Sequence, residues 1–121
     1  MVLKSVLDTN AVLYFLGGRL AHGLPNGQYF ISVISEIELL SYPLLDQSAQ
    51  SKIEKFLSGI TIIGLSQAVK TQAILLRRTH QLKLPDAIVA ATALSLGATL
   101  ITNDSKLLRL PDVPSQELRL K

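Results

Sequence analysis

Short apolar runs punctuated by turn residues set the rhythm of this chain. Residues 2–7 form a run of the length of a buried strand, and the polar Asp8, Thr9 and Asn10 follow it at once. Residues 11–16 are apolar on every face and stop at Gly17 and Gly18, the pattern of a short helix ended by glycine. A loop rich in glycine and proline, 23–27, leads into a second strand near 29–33. Ser35 is then placed to cap a helix reaching about Tyr42, ahead of Pro43.

Residues 46–58 put Ala49, Ile53, Phe56 and Leu57 on one helical stripe ending at Gly59. A third strand is expected over 60–64. Ser66 opens another helix, with Val69, Ala73 and Leu76 along one face. Residues 86–96 form an alanine-rich helix that starts behind Pro85 and stops at Gly97. A fourth strand, 98–101, is followed at once by Thr102, Asn103 and Asp104, and a last short strand is expected near 116–120. Strands alternating with helices predict one domain, 1–121, a three-layer α/β/α sandwich around a mostly parallel four- or five-stranded sheet. Such sheets bind ligands outside the carboxyl ends of their strands. Asp8 and Asp104 both fall there.

Composition narrows the function classes. With 121 residues, 48% hydrophobic and 17% charged, the chain is long and apolar enough to bury a core and is not of the disordered class. No run approaches the roughly 18 apolar residues of a membrane span, and Lys4, Asp8 and Asn10 interrupt the apolar start, which makes a poor signal peptide. Cysteine is absent, which excludes disulfides and thiolate metal sites and fits a cytoplasmic protein. The net charge is +3, from 12 basic and 9 acidic residues. If four acids belong to one metal site, the rest of the surface is strongly basic, which favours a polyanionic partner.

Each acid has an ordinary reading. Asp8 and Asp104 suit turns or helix caps, and Asp86 suits a helix start, where a carboxylate meets the positive end of the dipole. Glu38 is less ordinary, because it stands in an otherwise apolar helix and needs solvent, a cation or a metal. Taken together, the four reach one rim of the expected sheet. Crowded carboxylates repel unless a hard divalent cation neutralises them. Mg²⁺ or Mn²⁺ takes oxygen ligands, activates water and offsets charge on a phosphodiester.

Four strings carry a resemblance: Val6-Leu7-Asp8-Thr9-Asn10, Ser32-Val33-Ile34-Ser35-Glu36-Ile37-Glu38-Leu39, Leu84-Pro85-Asp86-Ala87-Ile88-Val89-Ala90 and Leu100-Ile101-Thr102-Asn103-Asp104. In order and spacing they resemble the PIN-domain family, and more narrowly the VapC toxins of bacterial toxin–antitoxin pairs. The resemblance implies a Mg²⁺- or Mn²⁺-dependent endoribonuclease with Asp8, Glu38, Asp86 and Asp104 as its acids. Asp8, Asp86 and Asp104 would be metal ligands, with Thr9, Asn10 and Thr102 in support. Glu36 and Glu38 cannot face the same way on a helix, and the glutamate directly before leucine fits the family pattern. The small or glycine residue often found soon afterwards has no counterpart in Ser41-Tyr42-Pro43. The resemblance further implies a homodimer and a small antitoxin bound across helices near the site.

Arg77, Arg78, His80 and Lys83 gather ahead of Asp86, either as a solvated helix end or as a patch that binds RNA phosphates, with Arg77, Arg78 and Lys83 as the candidates. His80 as a general base is unnecessary where a metal activates water. His22 reads as a surface residue, and Tyr14 and Phe15 as packing or association residues. A haloacid-dehalogenase-type phosphatase would need a second aspartate where Asn10 stands, and a receiver domain would need one after 60–64. The remaining alternatives are a silent PIN-fold interaction module, against which the four acids count, and a housekeeping PIN nuclease without antitoxin.

Overall fold

A computed structural model describes residues 2–121. The elements run β1 (Lys4–Leu7), α1 (Thr9–Leu16), β2 (Gln28–Ser32), α2 (Val33–Leu40), α3 (Gln47–Ser58), β3 (Thr61–Ile63), α4 (Gln67–His80), α5 (Leu84–Leu96), β4 (Thr99–Ile101), α6 (Ser105–Leu108) and β5 (Ser115–Gln116). Local chemistry starts most of the helices. Side-chain oxygens of Asp8, Ser32, Asp46, Ser66 and Asp104 accept first-turn N–H groups of α1, α2, α3, α4 and α6. α5 has no side-chain cap and instead carries Pro85 in its first turn.

The strands form one sheet in the order β3-β2-β1-β4-β5, all neighbours parallel. Val6 sits beside Phe30 and Leu100, and Leu7 beside Ile101. Because side chains alternate across a strand, these two registers feed opposite cores. Val6, Phe30 and Leu100 pack with Val69, Ala73 and Leu76 of α4 and with the alanine-rich α5. Leu7, Ile31 and Ile101 pack with Ala11 and Val12 of α1, Leu39 of α2 and Ile53 of α3. The result is the expected three-layer sandwich, with five strands.

Three local expectations change. Ser32, not Ser35, caps α2, its hydroxyl accepting from the Ile34 N–H at 3.0 Å; Ser35 lies one turn inside the helix, fully buried. Beyond Asp104, which the sequence suits to a turn or a cap, the chain closes into the short helix α6 with Asp104 as its cap. The last strand pairs only over Ser115–Gln116, while Leu120 makes an isolated antiparallel bridge to Leu20. Among the described residues, no helix is long and apolar enough to cross a membrane.

Candidate metal centre

The chain leaves β1 toward β2 and β3 on one side and returns to β4 and β5 on the other. β1 and β4 therefore border the crevice where strand order reverses, the place where open parallel sheets bind ligands. Asp8 follows β1 directly, and its backbone N–H bonds the Ile101 carbonyl of β4 at 3.1 Å. Asp104 stands three residues beyond β4, Asp86 in the first turn of α5, and Glu38 in the last turn of α2. All four line one cleft of about 140 Å³, together with Thr9, Asn10, Tyr42, Pro85, Val89 and Leu107. Glu36 does not line it.

Asp8 is the most enclosed of the four. Its Oδ1 accepts from the Ala11 N–H at 2.8 Å, and its Oδ2 accepts a short bond from the Thr102 hydroxyl. Burial pushes its carboxyl above the usual range, with Asp104 and Asp86 adding repulsion and the Thr102 and Ala11 bonds opposing. Burial also raises Asp86, with repulsion from Asp104 and Glu38, against Lys83 and Lys106. Glu38 accepts the Thr9 hydroxyl at 2.6 Å on Oε1, and the buried Ser35 hydroxyl lies 3.1 Å from Thr9. Asp104 spends Oδ1 on the N–H groups of Lys106 (2.8 Å) and Leu107 (3.1 Å). Capping and crowding thus coexist: the ordinary reading of Asp8 and Asp104 is true, and it is also what aims them.

Thr102 joins two of the acids. Its buried hydroxyl donates to Asp8 and accepts the Asp104 N–H at 3.0 Å. Valine there keeps the shape and strands both partners. Each unsatisfied buried polar group costs about 1–3 kcal/mol, so Thr102→Val should lose about 2–4 kcal/mol of stability in urea titrations, and Thr102→Ser much less. A valine variant within about 0.5 kcal/mol of wild type, the range of a neutral substitution, would show that the bridge is energetically idle.

Not every marked residue belongs to the cleft. Arg77, Arg78 and Lys83 are exposed and do not line it. Arg77 donates from Nε to the Leu82 carbonyl at 3.1 Å, a structural use. Sequence reasoning missed Ser35, Tyr42 and Lys106. Ser35 was legible in principle, because it precedes Glu38 by three residues and so shares its helix face.

The donor set is all hard oxygen, which suits Mg²⁺ or Mn²⁺ rather than a softer ion. Among the described residues, no three acid or histidine side chains stand close enough to enclose an ion by themselves.

The PIN domain model matches residues 5–113. The chain belongs to the PIN domain family. This PIN domain is similar to a chain of VapBC2 from Rickettsia felis, in a complex bound to a promoter DNA fragment. The two are 25% identical with a TM-score of 0.79, over 95% of this chain and 98% of that one. A toxin–antitoxin complex from Klebsiella pneumoniae holds a chain 30% identical to it, TM-score 0.75, over 90% and 94%. VapBC-1 from nontypeable Haemophilus influenzae shares the fold at 23% identity, TM-score 0.75, over 95% and 98%. These likenesses bear out the resemblance to VapC toxins drawn from the four strings. No curated protein matches this PIN domain in sequence.

Proposed function

We propose that the chain, as one PIN domain over 1–121, is the ribonuclease toxin of a cytoplasmic toxin–antitoxin pair. It hydrolyses RNA phosphodiesters with Mg²⁺ or Mn²⁺ held by Asp8, Asp86 and Asp104, Glu38 completing the cluster. One observation carries this reading: four acids from four separate segments line a single cleft at the switch point of the sheet. A divalent cation there supplies an activated water and charge to offset that building on the phosphate. The protein's part is to hold the donors ready. Asp8 is gripped through both oxygens, each keeping one acceptor site. Asp104 is gripped through Oδ1, which leaves Oδ2 to a ligand. Thr9 fixes Glu38, and Asn10 offers an amide at the rim. Exposed Arg78 and Lys83 give RNA phosphates a first contact.

The silent-module reading draws on one observation: among the described residues no three acids are grouped as an ion's ligands. Cleavage of total RNA by the purified protein, present with Mn²⁺ and abolished by chelator, decides between them. No cleavage under either condition would favour the silent module.

Apolar surface remains to be covered. Phe15 of α1, Ile37 and Leu40 of α2, and Ile74 and Leu75 of α4 are all exposed. The similar Klebsiella pneumoniae chain belongs to a toxin–antitoxin complex, and a small antitoxin on α1 and α2 fits this surface. We further expect a homodimer. Sedimentation at tens of micromolar, within ordinary association affinities, should show a dimer, and monomer alone would rule it out.

A further inference from the structure

Lys106 links the helix that Asp104 caps to the loop that delivers Asp86. It is the second residue of α6, its N–H held by Asp104 Oδ1. Its exposed side chain runs back to the α4–α5 loop, where Nζ lies 3.3 Å from the Gln81 carbonyl oxygen. Gln81 ends α4 in the left-handed region at φ 55°. The next carbonyl, that of Leu82, is held by Arg77, and the Leu82 side chain is buried. Two cations thus hold two successive carbonyls just ahead of Lys83 and Asp86.

The two attachments differ. The Arg77 bond is of ordinary length, whereas 3.3 Å lies at the weak end of the range for an ammonium on a neutral oxygen. A phosphate oxygen carries charge and makes a shorter, stronger bond to ammonium. The position of Lys106 is also specific: it stands two residues from Asp104, whose Oδ1 holds its N–H, yet its ammonium bonds a neutral carbonyl. A lysine paired with the acids would consume the oxygens a cation needs.

We propose that Lys106 is the cation that grips a substrate phosphate beside the acid cleft, leaving the Gln81 carbonyl for a phosphodiester oxygen when RNA arrives. The proposal rests on the nuclease reading above and adds to it a named substrate contact. It carries an opposing effect: a positive charge near the acids weakens metal binding while it strengthens RNA binding.

That opposition separates the proposal from a purely structural role. The experiment uses wild type, Lys106→Met and Lys106→Arg, with a fluorescein-labelled mixed-sequence single-stranded RNA in chelator and Mn²⁺ by titration calorimetry. Lys106→Met should weaken RNA binding about fivefold near 0.1 M salt, on the scale of one charge-assisted contact. The slope of log affinity against log salt should shrink by about 0.7, as for one released counterion on a single strand. Mn²⁺ should bind this variant about two- to fivefold tighter, from the loss of one nearby like charge at high effective dielectric. Lys106→Arg should keep the salt slope. An unchanged slope, or RNA and Mn²⁺ binding weakened alike, overturns the proposal while leaving the nuclease reading intact. Wild type that binds no Mn²⁺ overturns the reading and the proposal with it.

Discussion

Asp8→Asn is expected to lower Mn²⁺-dependent RNA cleavage by about 10²–10³-fold, the scale seen when one electrostatic group leaves an active site. Asp8 is buried, and both its oxygens are held in place. Asparagine keeps the volume, and its Oδ1 can still accept the Ala11 N–H that caps α1. It loses the charge, and it presents an amide to a Thr102 hydroxyl that already accepts from the Asp104 N–H. RNA affinity should hold or rise, because cations grip the phosphates and one repelling charge is gone. The loss therefore belongs to kcat, with KM little changed. Single-turnover cleavage beside RNA binding in chelator checks both halves. A variant that keeps a tenth or more of wild-type turnover would remove Asp8 from the centre of the chemistry.

Asp86→Asn should melt at the same temperature as wild type or higher in chelator, yet be catalytically dead. Asp86 does not cap α5, so its charge goes without loss of the helix start. The carboxyls of Asp8 and Asp86 are both raised above 3.8 by burial and by neighbouring acids. A carboxyl raised in the folded state binds its proton more tightly there than in the unfolded chain. Its contribution to stability is full below pH 3.8 and is lost as pH rises through the folded value. Metal-free wild type thus holds repelling charges at neutral pH, and the advantage of the variant should grow with pH across that window. Mn²⁺ reverses the order, since a ligand at 100 times its Kd stabilises the native state by about 2.7 kcal/mol. Wild type should gain that and the variant much less. If Asp86 were only a helix-start charge, its loss would cost about 0.3–1 kcal/mol whether metal is present or not. Melts of both proteins in chelator and in Mn²⁺ decide the matter; equal losses in the two buffers would exclude a shared metal site at this residue.

Much of the architecture was legible along the chain because its signals are local. A strand stretch that is buried on both faces reads as apolar letters, as at Val6-Leu7 of β1 and Leu100-Ile101 of β4, and a helix announces itself by its cap. Asp46 and Ser66 cap α3 and α4 at the positions their sequence implies. The helix α2 was misread at its start because two serines, Ser32 and Ser35, both suit a cap. Local propensity cannot choose between them. In the fold both are buried; Ser32 accepts the Ile34 N–H and caps the helix, while Ser35 meets Thr9 on α1, 26 positions away.

The candidate site divides in the same way. Asp8, Glu38, Asp86 and Asp104 could be named from motif order, because each stands beside a boundary the sequence marks. The choice of Glu38 over Glu36 came from motif resemblance; the Thr9 bond and the cleft are independent observations of where Glu38 lies. Three things waited for the fold: that Thr102 bridges Asp8 to Asp104, that Arg77 is occupied by a loop carbonyl, and that Lys106 reaches back 25 positions to Gln81. The physical reason is range. Helix caps and periodicity act over three or four residues and leave their mark in adjacent letters. The partner of a hydroxyl or an ammonium is set by how parallel strands bring distant segments to one rim, and no spacing in the chain encodes that distance.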